Sequence, residues 1–185
     1  ILLIPLSLLV RLSIFIKKTF IKKLTFKIPI ICIGNIYIGG TGKTPLSIFL
    51  AQELKSMGKK PTIVKKFYKE HQDEHDLIKI NFNSLILNKK RSEAIDEAIQ
   101  KNFDTVILDD GFQDYRIKKD ISILCFNQNQ LIGNGKVIPA GPLRESFSSI
   151  KNAQIIIING QKNLHFEKKI LKENSKLSIF YTKYK

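Results

Sequence analysis

The run Gly39-Gly40-Thr41-Gly42-Lys43-Thr44 brings turn-forming glycines, an ammonium and a hydroxyl into one short stretch. Between a strand and a helix, such a run aims backbone N–H groups and the positive end of the helix at one point, where an anion belongs. Lys43 would then reach the terminal phosphates of a nucleotide, and the Thr44 hydroxyl would bind Mg²⁺. Strict P-loop spacing asks for a glycine five residues before Gly42, and Tyr37 stands there instead. A glycine turn ahead of an ordinary helix is the plainer alternative, but it gives no reason for turn, cation and hydroxyl to coincide.

The second chemical feature is the run TVILDD, which ends in Asp109 and Asp110. Carboxylates at a strand end sit where ligands of open parallel sheets collect. One of the pair would hold the Mg²⁺ that bridges the phosphates, and the other would position or deprotonate an attacking hydroxyl. Both are metal candidates, and Asp110 joins Lys43 as a catalytic candidate.

These groups need a scaffold that delivers strand ends side by side. From residue 28 onward, short β-rich apolar runs alternate with helix-like stretches, which predicts an α/β fold of P-loop NTPase type, mostly parallel, with helices on both faces. Strands are expected at residues 30–33, 61–64, 85–87, 105–108, 121–126, 155–158 and 177–181. Helices are expected at 43–57, ended by Gly58, at 92–102 with Ser92 as cap, and at 164–173. Residues 65–84 are polar and irregular and read as a loop. At 185 residues and 43% hydrophobic content, the chain suits one core domain, 28–185, with an amino-terminal appendage, 1–27. Cys32 and Cys125 lie in apolar strands without metal-ligand spacing, as buried thiols of a reducing compartment would.

The net charge of +15 is unevenly placed. No acidic residue precedes Glu53, while Arg11, Lys17, Lys18, Lys22, Lys23, Lys27 and Lys43 do. Residues 1–16 are almost continuously apolar, but a helix of that length reaches only about 24 Å, short of the roughly 30 Å hydrocarbon core. The following stretch spaces Ile16, Phe20 and Leu24 at four-residue intervals against Lys18 and Lys22, as an interfacial helix does. Partial insertion at an anionic membrane surface is expected, each basic residue adding about 1 kcal/mol at most. A signal peptide would carry its charges before the apolar run, and a helix buried in the protein is the other rival. Scarce arginine and the lack of a basic-aromatic module argue against nucleic acid. No obligate protein partner is evident.

The segments IGNIYIGGTGKTP, LDDGFQDYR and IGNGKVIPAGPLRES, in this order, resemble the tetraacyldisaccharide 4'-kinase family of lipid A biosynthesis. The likeness spans roughly residues 1–160, and that family also has a non-glycine residue where Tyr37 stands. The resemblance implies ATP and Mg²⁺, and transfer of the γ-phosphoryl group to the 4'-hydroxyl of an acylated disaccharide 1-phosphate at the cytoplasmic face of the bacterial inner membrane. It implies that Tyr37, Ile38, Gly39, Gly40, Thr41, Gly42, Lys43 and Thr44 form the ATP-binding loop. Asp109 and Asp110 would be metal-side carboxylates. Arg144 and Glu145 end the PAGPLRE segment, so Arg144 would neutralise phosphate charge and Glu145 support the metal. Asp73 in Gln72-Asp73-Glu74-His75 falls where the family has its catalytic aspartate.

Three departures are visible. Lys65-Lys66-Phe67-Tyr68-Lys69 stands where the family has a Ser-Arg-Gly-Tyr-Gly type of turn and a longer insert, and Asp114 replaces a histidine. The family also continues beyond the position of Lys185 through a smaller domain that supplies substrate contacts and a histidine partner for the catalytic aspartate. Neither His71, His75 nor His165 takes that histidine's place by motif. The expected function is therefore the lipid kinase, with a non-catalytic or degenerate membrane-associated nucleotide-binding protein as the alternative. A switch-type GTPase is disfavoured by the lack of an Asn-Lys-x-Asp motif.

Overall fold

The computed structural model describes residues 3–183, which form two compact units. One comprises Lys23–Gly34 and Lys43–Ile121, the other residues 3–22, 35–42 and 122–183.

In the first unit, β1 (Ile30–Gly34), β2 (Pro61–Lys66), β3 (Leu85–Asn88) and β4 (Thr105–Asp109) pair in parallel in the order β3-β2-β4-β1. β4 is buried along its whole length and β2 all but its last residue, as strands covered on both faces should be. Between them run α2 (Lys43–Ser56), α3 (Gln72–Asn81) and α4 (Arg91–Gln100). α2 presents Ile48 and Ala51 to the core. α4 does the same with Ala94, Ile95 and Ala98, a helical spacing that accounts for its register.

Two expectations are corrected here. The supposed loop at 65–84 is the end of β2, a short 3₁₀ turn at Lys69–His71, and α3. Its stripe is thin: His75 and Ile78 are the buried residues of α3, with Phe82 just beyond, while Leu77 and Ile80 face outward. Ser92 is not a cap either, because α4 starts at Arg91 after an extended Lys90 that makes no side-chain cap. The Arg91 guanidinium reaches the end of β4, donating to the Asp110 carbonyl.

His75 carries a cost. It is buried, neither ring nitrogen has a hydrogen-bond partner, and it stacks on Phe67 at 5.9 Å between centroids. Burial, then Lys65, His71 and Lys79, hold its pKa below the ordinary 6.5 against a weak opposing pull from Glu74. The unfolded chain therefore takes up a proton more readily than the folded one, so stability is lost as pH falls below 6.5. His75→Phe should flatten that decline, measured as the difference in urea midpoint between about pH 7.5 and about pH 5.5.

In the second unit, β5 (Ile121–Asn127), β6 (Ile155–Asn159) and β7 (Ser178–Thr182) pair in parallel in chain order. α5 (Leu164–Glu173) is capped by Asn163, whose side chain accepts from the Phe166 amide at 2.9 Å. Phe126, Phe166 and Phe147 make an aromatic core.

α1 (Ile4–Phe20) belongs to this unit. Its fit to the protein is poor: Ser7 is its one buried residue, while Leu9, Phe15 and Phe20 are 63%, 65% and 82% exposed. The helix stops at Phe20, so Leu24 does not extend its apolar face as expected. Leu24 instead forms a parallel bridge with Ile117 in the first unit. Among the described residues, no helix is long and apolar enough to cross a membrane. Expectations for Ile1 and Leu2 lie outside the described residues.

Candidate nucleotide and metal site

Parallel pairing brings the ends of β1, β4 and β2 level. Ile33 is in register with Asp109, and Asp109 with Lys65. The chain leaves β1 into the glycine loop and re-enters the first unit at Lys43, the first residue of α2. From the first turn of α2, Thr44 Oγ1 donates to Asp109 Oδ2 at 2.9 Å, and Ser47 Oγ donates to Asp109 Oδ1 at 3.2 Å. Lys43 Nζ lies 3.8 Å from Asp110 Oδ1. Thus Lys43, Thr44, Asp109 and Asp110 are brought together as expected. A hydroxyl and a carboxylate side by side are hard oxygen donors of the kind Mg²⁺ takes, so these residues fit that ion.

Asp110 has a positive φ of 52°, a conformation that aspartate tolerates better than most residues. Arg91 from α4 braces it, donating from Nη2 to the Asp110 carbonyl at 2.7 Å. Arg91 Nη1 also lies 3.7 Å from Asp114, and Arg116 Nε lies 3.4 Å from Asp114. The aspartate in place of a histidine is therefore an ion-paired anchor for the turn after β4. Gly34 closes the other side: a Cβ there would stand 2.5 Å from Phe112 Cβ, so only glycine lets β1 pass that turn.

In the second unit, the loop preceding Lys43 is held by its carbonyls. Gln130 donates to Ile38 O, Asn35 to Gly39 O and Asn127 to Gly40 O, at 3.1, 3.3 and 3.4 Å. With the carbonyls turned to side-chain amides, the amides of Gly39, Gly40 and Thr41 have no backbone acceptor among the described residues. Gly39 and Gly42 adopt φ of 135° and 83°, which glycine alone takes without strain. Tyr37 does not use its ring here. Its side chain is fully buried, its hydroxyl accepts from the Asn127 amide at 2.7 Å, and burial pushes its pKa up to about 12.

Other expected site residues are placed differently. Glu145 is fully buried and ion-paired to Lys18 of α1, with its backbone amide on Ile36 O. The Arg144 amide also donates to Ile36 O, at 2.7 Å. Asp73 is exposed in the first turn of α3.

Lys65 is a buried ion-pair partner of this site that sequence reasoning did not place there. It is buried, with Nζ 2.5 Å from Asp109 Oδ2 and 2.5 Å from Glu74 Oε2. Burial alone would lower its pKa, but Asp109 and then Glu74 outweigh that and hold it above the ordinary 10.5. Its stabilising contribution is therefore fully present below pH 10.5 and lost only as pH rises through the higher folded value. The signal was a lysine directly after the apolar run Ile63-Val64, one residue before the strand's end.

A glycine loop leading from a parallel strand into a Lys-Thr helix start, with an aspartate of the neighbouring strand on the threonine, makes this an α/β protein of P-loop fold. The same fold is seen in signal recognition particle 54 kDa protein from Aeropyrum pernix K1 in complex with GDP (TM-score 0.60, 12% identity, covering 85% of this chain and 42% of that one). The chain belongs to the tetraacyldisaccharide-1-P 4'-kinase family, whose family model matches residues 1–82 and 72–184. A tetraacyldisaccharide 4'-kinase from Pelagibacter ubique (strain HTCC1062) is 40% identical over 185 residues, covering 99% of this chain and 58% of that protein. The chain thus spans less than two thirds of that relative's length. The crystal structure of apo-form LpxK from Aquifex aeolicus in complex with ATP superposes with a TM-score of 0.75 at 21% identity, covering 98% of this chain and 80% of that one.

Proposed function

We propose that this chain is the nucleotide-binding core of a tetraacyldisaccharide 4'-kinase. It would take ATP with Mg²⁺ and direct the γ-phosphoryl group to the 4'-hydroxyl of an acylated disaccharide 1-phosphate. The observation that carries this reading is the Thr44 hydroxyl at 2.9 Å from the Asp109 carboxylate at the start of the Lys43 helix, in a chain of this family.

In this reading Lys43 follows the terminal phosphates and Gly39 to Thr41 offer amides to them. Thr44 and Asp109 hold Mg²⁺, which neutralises phosphate charge. Asp110 and Asp73 keep their proposed roles at the metal and acceptor sides and Arg144 its proposed role toward phosphate charge, while the Glu145 carboxylate is taken up by Lys18 and drops out of the metal set. Supplying ATP, Mg²⁺ and the tetraacyl disaccharide 1-phosphate should give product with a new 4'-phosphate; yield no higher than that of Lys43→Ala would sink catalysis by this chain. The exposure of Asp73 favours a second reading, nucleotide binding without turnover, in which ATP binds while no transfer occurs.

The segment 1–27 serves in this proposal as an interfacial anchor on the core of residues 28–185, at the cytoplasmic face of the inner membrane. Its support is the exposed apolar side of α1 beside Arg11 and Lys17. Replacing Leu9 and Phe15 together by Glu should cut flotation with anionic phospholipid vesicles at least about tenfold, since each side chain contributes roughly 1.5–3 kcal/mol when buried. Unchanged flotation would exclude α1 as the anchor.

A further inference from the structure

Lys65 shares one oxygen with the place a metal would use. Asp109 Oδ2 accepts from Thr44 Oγ1 and is also the atom that Lys65 Nζ touches, at 2.5 Å. The same ammonium is 2.5 Å from Glu74 Oε2, in the first turn of α3. Asp109 is fully buried and a carboxylate there needs a counter-charge. The Glu74 side chain is 41% exposed and has water as an alternative. A lysine poised between a carboxylate that must be neutralised and one that need not be is built to move.

We propose that Lys65 is a displaceable counter-ion of the metal site: it neutralises Asp109 until a divalent cation claims that carboxylate, and then passes to Glu74. The inference rests on the nucleotide and Mg²⁺ reading above. An ammonium and a divalent cation repel each other strongly when both sit on one carboxylate oxygen, so a metal there would move Nζ off Asp109 toward Glu74, a carboxylate it already touches. Glu74 follows Asp73 directly in sequence, so the displaced charge arrives at the first turn of the helix that carries Asp73. Lys65 is thereby a positioning residue that couples metal occupancy at the end of β4 to the start of α3.

The test is Mn²⁺ affinity, read from free Mn²⁺ by electron paramagnetic resonance, with and without a non-hydrolysable ATP analogue whose own binding is followed separately by calorimetry. Lys65→Ser removes the competing charge and should tighten Mn²⁺ binding roughly tenfold, a gain expected for one charge a few ångströms away even under strong screening. Glu74→Gln removes the alternative partner, commits Lys65 to Asp109, and should weaken Mn²⁺ binding at least about threefold by the same electrostatics. Tighter binding by Lys65→Ser together with weaker binding by Glu74→Gln supports the inference. Unchanged affinity in either variant, or a shift of either one against its stated direction, overturns it. If Lys65→Ser fails to fold, the exposed Glu74→Gln variant decides alone. Normal analogue binding with unmoved Mn²⁺ affinity defeats this inference only, whereas no analogue binding by the unaltered chain defeats the nucleotide reading as well.

Discussion

Lys43→Ala is expected to lower ATP-dependent 4'-phosphorylation by about a thousandfold or more, the scale at which a phosphate-facing cation acts on phosphoryl transfer. Lys43 opens α2, so its ammonium and the helix's positive end act on the same anion. Its observed partner is Asp110 at 3.8 Å, a loose pairing that leaves it available to a phosphate. Stability should change little, within about 0.5 kcal/mol, because no tight buried pair is broken. The check is kcat/KM with the acylated disaccharide acceptor beside a thermal melt. Loss of activity with an unshifted melt assigns the effect to the site, and retained activity would remove Lys43 from the mechanism.

Asp109→Asn should produce the next largest effect, and should do so twice over. In the proposed function Mg²⁺ would lose its anionic donor beside Thr44, which should lower the rate by about a hundredfold or more. Lys65 loses the charge that justifies its burial, and an uncompensated buried ion costs about 3 kcal/mol or more, reduced here because Glu74 remains. Urea unfolding near pH 7 separates the two effects when Lys65→Met is added to the Asn variant. The double variant should regain part of the stability, since the stranded charge is gone, without regaining activity. A double variant as unstable as the sum of the singles would mean that the pair is not coupled.

Much of this site is legible in sequence because its chemistry is local. Lys43 and Thr44 follow the glycines directly, so loop, cation and hydroxyl are set by neighbours along the chain. Asp109 and Asp110 declare themselves because a run of apolar β-formers ends on them. α3 escaped notice because its core contact rests on His75, Ile78 and Phe82 alone, and one of these is a histidine without hydrogen-bond partners. Leu24 misled in the opposite way: the four-residue spacing from Phe20 is present, but the chain turns extended at Ile21 and bridges to Ile117.

Tyr37 shows where local reading stops. Its place in the loop is visible in sequence, but its hydroxyl is engaged by the Asn127 amide, ninety residues away along the chain. Arg91 and Asp114 are likewise joined only by the fold, through the turn that follows β4.

By itself the sequence determined the P-loop class, the family, and the residues proposed to meet a phosphate, because turn geometry, helix dipole and strand-end position are properties of short contiguous segments. Tertiary structure alone decided that Lys65 stands against Asp109 and Glu74, since parallel register between β2 and β4 aligns positions 44 residues apart. The cause is physical: a buried carboxylate demands a counter-charge from whichever strand or helix the fold lays beside it, and no local pattern along the chain records which one that will be.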